Sequence, residues 1–188
     1  MKIDGALSMS LPAAAEEAAT FEAIGLDGAW SFEGNRDPFI PLTMAADTTS
    51  TLELGTAIAV AFARTPMTLA HTAWDLQQLT EGRFILGLGT QIKPHITKRY
   101  GMPWSAPAAR MREFVQALRA IWDSWTTGER LDFRGEFYTH TLMTPFFSPP
   151  RAEVTPPPVY VAGVGPKMMR TIGEVADGFF VHPFHTPA

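Results

Sequence analysis

Apolar residues in this chain fall into two kinds of run. Short continuous stretches, such as AIAVAF at 57–62 and FILGLG at 84–89, alternate with longer segments whose apolar side chains return every three or four positions. The first kind suits strands buried on both faces, as in a parallel sheet. The second suits amphipathic helices that cover such a sheet.

Taken in order, residues 2–8 read as a short strand. Ser10 and Pro12 then open a helix with Ala14, Ala18, Phe21 and Ile24 at helical spacing, closed by Gly25. A second strand follows at 28–32 and a helical patch at Leu42–Asp47. The run 52–62 reads as one buried strand. Thr65 and Pro66 start the next helix, whose inward stripe is Leu69, Ala73, Leu76 and Leu79, with Gly82 at its end. A strand at 84–90 leads to the clearest helix, where Met111, Phe114, Val115, Leu118, Ile121, Trp122 and Trp125 share one face before Gly128. Residues 129–158 are an irregular excursion, rich in proline and aromatics, with a short hairpin. A fifth strand at 159–162, a helix from Pro166 carrying Met169 and Ile172, and a sixth strand at 179–184 complete the chain. Strand–helix alternation of this kind predicts α/β architecture with parallel strands and right-handed crossovers, in a single domain over 1–188.

Composition removes several function classes. The net charge is −4, so no basic field attracts nucleic acid. There is no cysteine, which excludes disulfides, thiolate nucleophiles and sulfur-ligated metals and fits a cytoplasmic protein. No stretch approaches the ~20 apolar residues of a membrane span. His182 and His185 form H-x-x-H, but a strand end gives them poor chelating geometry and no third ligand lies nearby, so no metal site is predicted.

Two parallel architectures compete: an open doubly wound sheet and a closed (β/α) barrel. The dinucleotide fingerprint G-x-G-x-x-G fails twice, because Ile92 and Met168 occupy its third glycine position. In a barrel, ligands gather at the C-terminal ends of the strands. Those ends carry Ser8, Phe32–Glu33, Ala59–Val60, Thr90–Gln91, Gly163–Gly165 and His182. Such a lining suits a flat heteroaromatic cofactor better than hydrolysis. The small residues of VYVAGVGP, just before a helix, leave backbone N–H groups able to receive a phosphate.

Several segments together resemble the bacterial luciferase-like family of flavin- and deazaflavin-dependent oxidoreductases. They are AIGLDGAWSFE, the stretch Leu52–Thr90, the Met111–Trp125 helix and PPPVYVAGVGPKMMRTIGEVADGFFVHPF. The resemblance covers almost the whole chain. It lies nearest the branch that uses coenzyme F420, with FMN as the alternative cofactor. It implies a (β/α)8 TIM barrel of luciferase-like type, and hydride transfer between the deazaflavin and a small organic substrate.

The resemblance also assigns residues. Ala57–Ile58, followed by Ala59, matches a position where the family often carries a cis peptide against the cofactor ring. Thr90 and Gln91 match positions at the ring's polar edge, and His95 is placed at the same mouth. Ala162, Gly163, Val164 and Gly165 match the turn that receives the cofactor phosphate. Glu33 and His182 are the candidate catalytic residues. Several relatives place His directly after the acid, where this chain has Gly34; a mechanism depending on that imidazole does not carry over.

Two other readings stay open at this point: a non-catalytic flavin-binding or remnant protein, and a phosphosugar enzyme using Gly163–Gly165. Length bears on the choice. A (β/α)8 barrel needs roughly 250 residues, and 188 residues with six strands read as an incomplete barrel. An open parallel edge after the sixth strand predicts a homo-oligomer.

Overall fold

The computed structural model describes residues 1–8, 10–150 and 153–181. Along the chain the parallel strands are β1 (Asp4–Ala6), β2 (Gly28–Ser31), β3 (Glu53–Thr56), β4 (Ala59–Val60) and β5 (Phe84–Gly89). After an antiparallel hairpin of β6 (Phe133–Arg134) and β7 (Thr139–His140) come β8 (Val159–Ala162) and β9 (Gly178–Phe180). The main sheet runs β1-β2-β3-β5-β8-β9, with β4 carrying on the line of β3 beside β5. The crossovers hold helices α1 (Ala14–Ala23), α2 (Phe39–Ala46), α3 (Pro66–Leu79), α4 (Pro107–Thr127) and α5 (Pro166–Val175). Six parallel strand positions with these helices form a curled half-barrel.

Specific side chains set the curl. Trp30 on β2 and Phe180 on β9 meet edge to face with ring centroids 5.3 Å apart, although three strand positions separate β2 from β9. The intervening strands make room for them. A Cβ on Gly55 would lie 2.3 Å from the Trp30 ring, and one on Gly87 would lie 2.6 Å from the Phe180 ring. Two large rings on β2 and β9 and glycines on the strands between them therefore fill the concave face together. The convex face is covered by the helices. All seven stripe residues of α4 are buried, and the helix ends at Gly128 in the left-handed conformation. Thr65 caps α3 by accepting a hydrogen bond from the Thr68 N–H.

The structure departs from the sequence pattern in places that have local causes. The run 52–62 is not one strand: it breaks between β3 and β4 and ends in a single 3-10 turn at Ala61–Ala63. Continuous apolarity reports burial and cannot reveal such a break. Ile24 is 68% exposed, because it caps α1 and the chain turns away at Gly25. Leu79 is exposed while Thr80, one position on, is buried and donates its hydroxyl to the Leu76 carbonyl. In α5 the inward methionine is Met168 and not Met169. The first helix opens with a 3-10 turn at Leu11–Ala13, α2 begins at Phe39, and α4 begins at Pro107. A π-helical turn at His95–Arg99 has no counterpart in the apolar pattern. The last strand is Gly178–Phe180; the part of the predicted strand from 182 onward lies outside the described residues.

The hairpin of the excursion is tied down by one acid. Glu113 on α4 is buried, and its carboxylate accepts the N–H groups of Glu136, Phe137 and Tyr138. No helix among the described residues is long and apolar enough to cross a membrane.

Candidate functional site

A cavity of about 1370 Å³ opens at the C-terminal ends of β5 and β8. That exceeds the roughly 300–1,000 Å³ of a drug-sized pocket and suits a long ligand. One wall is Ala57–Ile58. The next is Gly89–Lys93 with Trp104, and another is the first turn of α4 with Ala106. The far wall is Ala162–Met168, with Phe180 and Val181. Lys93 and Lys167 are the charged residues among these, and no carboxylate lines the cavity among the described residues.

The break between β3 and β4 shapes the first wall. The Ala57–Ile58 peptide is cis. Its flanks are held by the neighbouring strand end: the Ala57 N–H donates to the Ser31 carbonyl at 2.7 Å, and the Glu33 N–H donates to the Ile58 carbonyl at 3.1 Å. A Cβ on Gly89 would lie 2.8 Å from Ile58 Cδ1, so the glycine lets the Ile58 side chain lie across the end of β5. Beyond it, Thr90 Oγ1 donates to the Gln91 carbonyl, and Gln91 adopts a left-handed φ of 60°. Gln91 Oε1 accepts the Ile92 N–H at 3.0 Å.

The far wall is made of backbone. Gly163 packs against Met168, whose Cγ would lie 2.3 Å from a Cβ at that position. Gly165 has φ 81° and ψ 156°, a region populated almost only by glycine. Gly165 precedes α5 without a side-chain cap, and Pro166 fills the first helical position. Helix α4 also begins without a side-chain cap, after Ala106 at φ 34°. Two helix N-termini, each carrying partial positive charge, thus face one cavity together with two lysines. A phosphate-bearing group fits this donor set.

Glu33 lies off the cavity wall. Its side chain is 6% exposed. Oε2 accepts the Val60 N–H at 2.7 Å and Arg64 Nη1 at 2.6 Å, and Oε1 accepts the Tyr100 hydroxyl at 2.8 Å. Arg64 also reaches Asp37 at 2.9 Å, and Arg99 donates to the Gly34 carbonyl at 2.7 Å. Burial, followed by the hydrogen bond to Glu33, raises the Tyr100 hydroxyl above its ordinary value.

Of the residues singled out in the sequence, Ala57, Ile58, Thr90, Gln91 and Ala162–Gly165 come together on the cavity wall. Ala59 does not: it is fully buried in β4, paired with Leu88. His95 does not either; it is exposed on the π-helical turn and is not among the wall residues. His182 and His185 lie outside the described residues. Lys93, Trp104, the start of α4 and Phe180 line the cavity without having been anticipated as wall. Pro107, a first-turn proline, was the available signal for the second helix N-terminus. Nothing local could have joined Glu33 to Arg64 or Tyr100, which are 31 and 67 positions away.

Comparison with known proteins matches this geometry to a family. The family model described as luciferase-like monooxygenase matches residues 3–188. An uncharacterized protein of Mycobacterium tuberculosis is 56% identical over 183 residues, which are 97% of this chain and 54% of that protein. The F420-dependent glucose-6-phosphate dehydrogenase 2 of Rhodococcus jostii is 33% identical over 179 residues, 87% of this chain and 51% of that enzyme. Among solved structures, an F420-dependent secondary alcohol dehydrogenase in complex with an F420-acetone adduct superposes with a TM-score of 0.77 at 21% identity, over 95% of this chain and 58% of that one. The coenzyme F420-dependent tetrahydromethanopterin reductase of Methanopyrus kandleri gives 0.74 at 22% identity, over 95% of this chain and 54% of that one. The chain therefore spans about half the length of the relatives it matches. With the curled parallel sheet, the strand-end cavity and a family match over nearly every residue in agreement, the chain belongs to the luciferase-like monooxygenase family.

Proposed function

We propose that this chain forms the cofactor-binding part of an F420-dependent oxidoreductase acting on a small organic substrate. The observation that carries the reading is the asymmetry of the cavity. One wall is an apolar backbone turn at Ala57–Ile58 with Ile58 across the end of β5. The opposite wall presents the uncapped N-terminus of α5 beside Lys167. A flat ring belongs against the first and a phosphate against the second. When bound, the deazaflavin supplies the hydride chemistry, and the protein supplies position and access. Gly163 and Gly165 let the backbone approach the phosphate, Lys167 adds charge, and Ile58, Trp104 and Phe180 provide apolar surface. The names of the F420-dependent relatives favour F420 over FMN. A homo-oligomer belongs to the same reading, because β1 and β9 are the outer strands of the described sheet.

A second reading, binding without turnover, is favoured by one observation. Both oxygens of Glu33 are engaged, and the described wall carries no carboxylate. The test is titration of the purified protein with F420 and separately with FMN, followed by visible absorption. Saturable perturbation of the F420 spectrum, at lower concentration than for FMN, is expected. Reduction of bound F420 by an alcohol or sugar-phosphate panel separates enzyme from binder. No perturbation of either chromophore overturns both readings.

A further inference from the structure

Glu33 occupies the position where an acid beside the substrate was expected, yet its carboxylate faces protein on every side. It joins its own strand end to two segments distant in sequence. Its N–H donates to the Ile58 carbonyl. Its Oε2 accepts from Val60 and Arg64, which bracket the 3-10 turn after β4. Its Oε1 accepts from Tyr100, the residue that closes the π-helical turn. A parallel strap lies alongside, where Arg99 donates to Gly34. The first segment bears the Ala57–Ile58 wall, and the second belongs to the 90–104 connection that bears Thr90, Gln91 and Trp104. The N–H, the carboxylate and the strap thus span the two walls.

We infer that Glu33 is a positioning residue: it is the hub that fixes the Ala57–Ile58 wall against the 90–104 wall and so sets the width of the ring slot. Arg64 orients the carboxylate, and Tyr100 passes the constraint to the π-helical turn. The effect on cofactor binding rests on the function proposed above, while the mechanical claim does not.

Amide hydrogen exchange tests the claim without any cofactor. In Glu33→Ala, the segments 57–62 and 91–104 are expected to exchange faster together, by roughly tenfold or more, while α5 and β8 keep their protection. In Tyr100→Phe, only 91–104 is expected to loosen, because the Val60 and Arg64 bonds remain. Glu33→Gln keeps the shape and loses the charge partner of Arg64, so its exchange should fall between these. F420 titrations of the same variants add the functional readout: a smaller spectral perturbation at saturation, as well as weaker binding. Should Glu33→Ala fail to fold, the Tyr100→Phe and Glu33→Gln pattern still decides. Unchanged exchange in both segments overturns the inference, and so does loosening spread evenly over the sheet. If wild-type protein ignores F420 while the exchange pattern appears, the proposed function falls and the hub stands.

Discussion

The two sides of the cavity mouth handle their polar groups in opposite ways. On the β2–β4 side, Glu33, Arg64, Asp37 and Tyr100 consume one another's hydrogen-bonding capacity. On the β8–α5 side, the turn is backbone and small residues, with no side chain capping the helix. The first side is satisfied internally and can be rigid in the absence of ligand. The second leaves donors at a helix N-terminus facing an open cavity, where an anion completes them. A binding site needs both: groups already spent, which hold the shape, and groups left unspent, which recognise the ligand.

The largest expected way to break this contrast is Arg64→Ala. It leaves the Glu33 carboxylate buried without its cation, a change that costs about 3 kcal/mol. The midpoint of urea unfolding should fall accordingly, and a midpoint within experimental error of wild type would show that the network is not held by the charge pair. A smaller effect is expected on the opposite side. Gly165→Ala forces an ordinary residue into a glycine-only conformation, at a cost of about 2 kcal/mol if the turn keeps its shape. If the turn relaxes instead, stability is largely retained and F420 affinity drops. Measuring both quantities on one variant distinguishes the outcomes.

The smallest effect concerns a third carboxylate, which repeats the internally satisfied pattern far from the cavity. Glu22, near the end of α1, is pushed up by desolvation. That is outweighed by donation from Thr51, Leu52 and Ser50, which lowers it from its ordinary value near 4.5 to about 2. A depressed folded-state value means that this contribution is complete above about pH 4.5 and is lost as pH falls toward 2. Glu22→Gln should therefore flatten the acid limb of a stability–pH profile without altering cofactor binding. An unchanged acid limb would place the titrating groups elsewhere.

How far the sequence could be read depended on the range of the interactions involved. Helix α4 was legible because seven apolar residues share one face, and that periodicity is local. The glycine turn before α5 was legible because Gly163, Gly165 and Pro166 sit together in the chain and carry their backbone consequences with them. The break at Ala57–Ile58 was placed by family resemblance; hydropathy alone shows an uninterrupted apolar run there. For Ala59 and His95 the resemblance implies places on the wall that the structure does not give them. Strand alternation turns Ala59 into the core, and His95, on the π-helical turn, is not among the wall residues. Glu33 was legible as a residue at a strand end, but its bonds to Val60, Arg64 and Tyr100 were not.

The order of strands and helices, the buried character of 52–62 and 84–89, and the glycines that permit tight turns were determined by the sequence itself, because each depends on neighbours within about one helical turn or strand. Tertiary structure alone decided that Trp30 meets Phe180 across the concave face, that two helix N-termini point into one cavity, and that Glu33 is enclosed by Val60, Arg64 and Tyr100. Those outcomes depend on the register and curl of the sheet. Register and curl are set by many weak contacts acting at once, and no single segment of the chain contains them.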